Sequence, residues 1–379
     1  MWEIVWRQFN KLSIDWWLLL AIFPLLLVGL STMNSFVGDS YYFTRQLVWI
    51  GISLSVFFIF SFVDWRLLKR TEVVVSLYVL GLVSLLTVFV FGQLTRSTYS
   101  WLSIGSVSLQ PAEFMKLILV IILAKYFTRR HVEIANIRHI IISGIYAFLP
   151  FTLIFIQPDL GSAMIVFFIW IGMTSVAGIS KKHLALVFGG GALCFLILWM
   201  FVLADYQKAR VMTFVDPLSD IQGTGYNAFQ STVAVGSGQV LGKGVGFGSQ
   251  SRLKFLPEYQ TDFVFAAFAE EWGFVGVMMA LGLYMFIVWR ILSIGMMGVT
   301  NFETLFAVGL AIMIMSHFII HVGMNIGLLP ITGLPIPFIS YGGSHMLTIF
   351  AGLGILMGMR RYSLAFHRGD IHNEFVGPK

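Results

Sequence analysis

Apolar residues run through this chain in long blocks broken by short polar punctuation. Ten blocks approach the roughly 20 residues that a helix needs to cross about 30 Å of hydrocarbon. They fall at about 16–36, 46–63, 73–91, 111–127, 139–157, 160–178, 183–203, 263–289, 304–327 and 341–360. The predicted fold class is therefore all-α, a polytopic membrane protein of about ten transmembrane helices forming a single integral membrane domain over 1–379. The first block, Trp16 to Met33, has a weakly basic leader and no small-residue cleavage pattern after it, so it reads as a retained helix and not as a signal peptide.

The connections carry the orientation signal. Arg7 and Lys11, then Arg66, Lys69 and Arg70, then Arg129, Arg130 and Arg138, then Lys181 and Lys182, then Arg290, Arg360, Arg361 and Arg368 all fall on one side. The opposite short loops hold chiefly Arg45 and Arg96. The positive-inside rule places both termini in the cytoplasm, with an even number of spans. The long connection, about 204–262, then faces outward and is the one segment large enough to cover a site. Within it, Tyr226 to Val235 is expected to form a short helix at the interface.

Composition agrees with this reading. With 58% hydrophobic and 11% charged residues and a mean hydropathy of +0.86, a soluble domain is excluded. The net charge of +6 then reports loop orientation and contact with anionic membrane lipids, and not nucleic-acid binding. The single cysteine, Cys194, lies inside an apolar block, so no internal disulfide forms. The glycines of GSGQVLGKGVGFGSQS suggest a phosphate loop, but Lys243 is followed by Gly244 and not by Ser or Thr, and the dinucleotide spacing fails as well. A turn-rich loop with unusual backbone angles fits better.

Polar residues beside or inside apolar blocks are costly, so each is a functional candidate with a structural competitor. Glu113 and Lys116, three apart behind Pro111, share a helical face and pair either for chemistry or as a helix-entry salt bridge. Asp159 in QPDLGS is a helix cap or a ligand. Asp262 follows the long outer loop at the start of the eighth block, with Glu258 near it. His317 and His321 are spaced i, i+4 without a third metal ligand in view, and interhelical hydrogen bonding suits them better than a metal. LPITGLPIPFISYGGS places irregular backbone at membrane depth, which survives where protein buries it or where it lines a cavity. Arg45, Arg96, Glu113, Lys116, Asp159, Arg210 and Asp262 together give the outward face carboxylates able to act as bases and cations able to hold phosphate.

The segments QPAEFMK at 110–116, QPDLGS at 157–162, RVMTFVDP at 210–217, FLPEYQTDFVFA at 255–266 and ISYGGS at 339–344 carry a further reading. In that order, over nearly the whole length, the chain resembles the SEDS family of cell-wall polymerases, and its elongation-type branch in particular. The resemblance implies a ten-helix peptidoglycan glycosyltransferase of the bacterial inner membrane, serving cell shape. Such an enzyme uses lipid II and works with a class B penicillin-binding protein and other elongation-complex proteins. It puts the essential aspartate at Asp262 and substrate contacts at Arg45, Trp101, Glu113, Lys116, Asp159, Arg210, Ser340, Tyr341, Gly342 and Gly343. Two positions depart from the family: Gln260 stands where a His often precedes the TD pair, and His321 stands where a neutral amide is common. The expected mechanism has Asp262 as general base and a clamp on the leaving diphosphate made by Arg45, Lys116, Arg210 or a divalent cation, Mg2+ or Mn2+. A flippase for the same lipid is the competing expectation.

Overall fold

The structure is a computed structural model. It describes every residue except 1–13, 35–39, 96–97, 105–106, 129–136, 202–207, 209–211, 213–223, 254, 257 and 374–379. Of the residues singled out above, Arg7, Lys11, Arg96, Arg129, Arg130 and Arg210 lie outside the described residues.

Each apolar block forms a helix. In chain order they are α1 (Trp16–Asn34), α2 (Ser40–Phe62), α3 (Thr71–Phe91), α4 (Pro111–Thr128), α5 (Ile137–Ile156), α6 (Leu160–Ala177) and α7 (Lys181–Phe201). The short helices α8 (Thr224–Ser237) and α9 (Ser249–Arg252) follow, and then α10 (Val264–Met296), α11 (Asn301–Asn325) and α12 (Gly343–Asn373). Seven of the described helices (α1, α2, α3, α5, α6, α10 and α11) are long and apolar enough to cross a membrane. The all-α expectation needs one correction: between α3 and α4 the chain forms a small antiparallel sheet, β1 (Gln93–Thr95), β2 (Thr98–Ile104) and β3 (Val107–Leu109), in the order β1-β2-β3. Alternating residues in TYSWLSI suit a strand, although the run is short beside the apolar blocks around it.

The helix α4 forms the centre of the bundle. Its buried positions include Ala112, Glu113, Met115, Lys116, Leu119, Val120, Leu123 and Phe127, so apolar side chains surround it on every side. Helices α3, α6 and α11 pack around it, α2 packs along α12, and α10 packs against α1 and α11. Close approach between helices uses glycine: a Cβ at Gly309 of α11 would stand 2.6 Å from Val120 and 2.8 Å from the Met173 sulfur. At one end of the bundle Asp15 accepts the Leu18 amide at 3.0 Å and so starts α1. The same carboxylate takes Arg290 of α10 and Arg360 of α12, which ties three helices to one buried charge.

The helix α10 is broken at Gly273, whose φ of 64° and ψ of −168° lie in a region open essentially to glycine alone. The break strands backbone groups, and the glycine-rich loop satisfies them. Lys243 and Gly244 donate their amides to the carbonyls of Glu270 and Glu271, both at 3.0 Å, while the amides of Phe274 and Val275 reach the carbonyls of Gln239 at 2.9 Å and Val240 at 3.1 Å. The buried Glu270 side chain fastens the same loop, accepting from Lys243 Nζ at 2.7 Å and the Ser249 hydroxyl at 3.0 Å. The loop is thus a structural splint, which accounts for its failing both nucleotide spacings. Gly273→Ala would set a Cβ 2.2 Å from the Gly242 nitrogen in a backbone region closed to alanine. It is expected to destabilise the fold by about 2 kcal/mol or more, read as a lower midpoint of thermal unfolding in detergent; an unchanged midpoint would show that the splint is dispensable.

Candidate active site

Asp262 closes a tight turn immediately before α10. Glu258 opens the turn with a φ of 51°. Its carbonyl accepts the amides of Thr261 at 3.1 Å, Asp262 at 3.0 Å and Phe263 at 3.4 Å. The turn's own carbonyls are held from outside it: Tyr341 N donates to Gln260 O at 3.0 Å, the Ser340 hydroxyl to Thr261 O at 2.9 Å, and Asn325 Nδ2 to Asp262 O at 3.0 Å. Three consecutive peptide groups are therefore fixed by two distant stretches of chain. The Asp262 side chain stays partly exposed, and a Cβ built on Gly333 would stand 3.5 Å from its Oδ2.

The Pro- and Gly-rich stretch before α12 is buried irregular backbone, as its composition implied. Leu334, Ile336, Phe338, Ile339 and Ser340 are all buried, and Phe338 adopts a φ of 68°. Its polar groups are met from several sides. His321 Nδ1 donates to Leu334 O at 2.6 Å, His317 Nδ1 lies 3.3 Å from Pro335 O, Ile336 N donates to the Ser340 hydroxyl at 2.9 Å, and Gln46 Nε2 of α2 donates to Ser340 O at 3.1 Å. His317 and His321, expected to bond from helix to helix, turn Nδ1 instead to this irregular stretch, and both hold the wall that faces Asp262.

Below this wall is a buried polar cluster. Lys116 Nζ donates to Glu113 Oε1 at 2.6 Å and stands 3.2 Å from His317 Nε2; Glu113 Oε2 accepts from His345 Nδ1 at 3.0 Å. An ammonium has donors only, so His317 Nε2 is an acceptor and its proton sits on Nδ1, facing Pro335. Lys116 has 0% and Glu113 3% exposure. Both are therefore enclosed by protein, and the Lys116 ammonium, which the sequence suggested as a diphosphate clamp, is paired as a brace inside the bundle.

Glu113, His317 and His345 bring ligand atoms within 4.8 Å of one another. They do not fit Mg2+ or Mn2+, which prefer oxygen donors, and the Lys116 ammonium already fills the space between the carboxylate and His317. Among the described residues this is the one group of that kind.

Asp159 caps α6 by accepting the Ser162 amide at 2.9 Å, and its second oxygen accepts Gln110 Nε2 at 2.8 Å. Gln110 N in turn donates to the Ser344 hydroxyl at 3.0 Å. The QPAEFMK, QPDLGS and SYGGS segments are thereby joined by side chains of their own. Tyr341 is partly exposed, its ring 5.1 Å from that of Tyr42. Gly342 anchors the first turn of α12 by accepting the Met346 amide at 2.9 Å, and Gly343 packs so closely on Trp49 that a Cβ would stand 2.1 Å from the ring. Arg45 lies 4.5 Å over the Tyr41 ring centroid, and Trp101 stands opposite Gln93 in the sheet; both are partly exposed. Two participants escaped the sequence reading. His345, like His317, is an ionisable residue inside an apolar block, and that placement is itself a signal. Asn325 gave no signal beyond a lone amide near the end of a span.

Removing one partner of a buried ion pair strands the other, which costs about 3–5 kcal/mol. Lys116→Met is therefore expected to lower thermal stability strongly, and Glu113→Leu added to it should recover part of the loss, since it removes the stranded carboxylate. A double variant less stable than the single one would refute the brace.

The family model described as "Cell cycle protein", covering FtsW, RodA and SpoVE, matches residues 10–364. The peptidoglycan glycosyltransferase MrdB of Escherichia coli K12 is 33% identical over 354 residues, which cover 93% of this chain and 95% of MrdB. The stage V sporulation protein E of Bacillus subtilis is 34% identical over 369 residues, covering 93% and 99%. Among solved structures, a chain of a peptidoglycan synthase complex that coordinates polymerization and crosslinking is similar, with a TM-score of 0.79 at 29% identity, covering 92% of this chain and 98% of that one. The rod shape determining protein RodA of Thermus thermophilus gives a TM-score of 0.71 at 29% identity, covering 93% and 98%. The fold, the convergence of the three polar segments and these matches lead to one assignment: the chain belongs to the FtsW/RodA/SpoVE family.

Proposed function

We propose that this protein is a multi-pass inner-membrane peptidoglycan glycosyltransferase of cell-wall elongation, polymerising lipid II with Asp262 as general base. The observation that carries the reading is the Asp262 turn: a partly exposed carboxylate on a backbone held at three successive carbonyls, facing a wall of buried irregular chain. A positioned base is useful only where its geometry is fixed. In the proposed step Asp262 takes the proton of the 4-hydroxyl of the acceptor N-acetylglucosamine. That oxygen bonds to C1 of the donor N-acetylmuramic acid, and the bond from C1 to undecaprenyl diphosphate breaks with inversion. The leaving group departs as an anion, and the partly exposed Arg45, with Arg210, supplies the neutralising charge.

Glu113, Lys116 and Asp159 act in this reading by holding the framework. Ser340 and Gly343 do likewise, because both are buried, while the partly exposed Trp101 and Tyr341 face sugar in this reading. The ten long helices form one membrane unit with both termini cytoplasmic and the 204–262 connection outside, so the carboxylate sits at the outer surface while the lipid tail stays in hydrocarbon. The neighbouring synthase complex, described as coordinating polymerization and crosslinking, supports a class B penicillin-binding protein as the partner.

The test is polymerisation of labelled lipid II by the purified protein with that partner. Asp262→Asn should lower the rate by about 10²- to 10⁴-fold while fold and partner binding are kept. Equal product from wild type and variant would remove Asp262 from the chemistry, and absence of product from both, with lipid movement across vesicles, would favour the flippase.

A further inference from the structure

Asn325 is the last residue of α11 and has 0% exposure, yet it bears a polar side chain with two donors and two acceptor lobes. Its contacts use both ends of the amide. Nδ2 donates to Asp262 O at 3.0 Å and to His321 O at 2.8 Å. Oδ1 accepts the Ala266 amide at 3.2 Å and lies 3.3 Å from the Ser231 hydroxyl, which makes its shorter bond, 2.8 Å, to the Asn325 carbonyl.

Ala266 lies in the first turn of α10, whose N-cap residue Phe263 makes no side-chain cap. A helix start leaves amides without partners, and normally a side chain just before the helix accepts one of them. Here the acceptor comes from another helix, and the same amide group holds the carbonyl of Asp262. One planar side chain therefore sets both the start of α10 and the backbone of the proposed base. Through Ser231 it also joins that base to α8, the helix of the outer connection.

We infer that Asn325 is a positioning residue for the glycosyl transfer, holding Asp262 in register through its carbonyl and linking α8 to the reacting carboxylate. The inference rests on Asp262 acting as the base. No other side chain reaches the Asp262 carbonyl, the start of α10 and α8 together among the hydrogen bonds of the described residues.

Asn325→Asp tests it, because the shape is kept while the donating end becomes an acceptor facing two carbonyls. Steady-state polymerisation of lipid II by the full chain with its class B partner is measured beside wild type and Asp262→Asn. Misplacement of a reacting group by about 1 Å costs up to 10²-fold, so kcat is expected to fall about 10- to 100-fold. KM should stay within about threefold, since the lost interaction serves the transition state and not substrate binding. Asp262→Asn inactive with Asn325→Asp at wild-type kcat would overturn the positioning role alone. An active Asp262→Asn would overturn the base and the inference with it. A rise in KM with kcat unchanged would also overturn it, as that marks a binding role. If Asn325→Asp does not fold, Ser231→Ala decides: a severalfold lower kcat at unchanged KM supports the link to α8, and wild-type kinetics refute it.

Discussion

A backbone that leaves helical geometry within a membrane has no water to turn to, and every amide and carbonyl it frees must find a partner in the protein. That constraint organises this molecule. At three places where the described chain departs from helix, another segment arrives with the complementary groups. The break at Gly273 meets the glycine loop, the Glu258 to Phe263 turn meets Ser340, Tyr341 and Asn325, and the stretch from Thr332 to Ser340 meets His317, His321 and Gln46. Irregularity is concentrated around Asp262, the residue proposed as the base.

This arrangement explains why residues that first look like substrate ligands turn inward. Lys116, Ser340 and Gly343 belong to the same segments as the exposed groups, yet their contacts lie among Glu113, Thr261 and Trp49. A site in a bundle needs rigid backing as much as it needs reactive groups, and short motifs carry both kinds of residue side by side.

The sequence was legible where physics leaves one option. Long apolar blocks must be helices, so the ten blocks and the ten long helices agree to within a few residues at most ends; α2 begins six residues early and α10 and α12 run past their blocks. The Glu113–Lys116 pair was suggested by spacing, and the Asp159 cap was one of two readings of QPDLGS. What escaped depends on contacts far apart in sequence. Nothing local tells that Asn325 meets Asp262 across 63 positions, or that His345 meets Glu113 across 232. In the β1–β3 sheet only β2 is long enough to show alternation, and the three residues each of β1 and β3 carry no pattern of period two.

The spacing of Glu113 and Lys116 also bears on how the chain is made. Both charges lie within one turn of α4, and their histidine partners belong to α11 and α12, which leave the ribosome much later. During that interval α4 stands in the translocon or the lipid without His317 or His345. Because the pair is i, i+3, each of the two charges already has its counter-ion on its own helix, and the pair enters as a neutral unit. The interhelical contacts then recruit a partner already formed, so assembly of the core does not wait on bare charge finding bare charge across the bilayer.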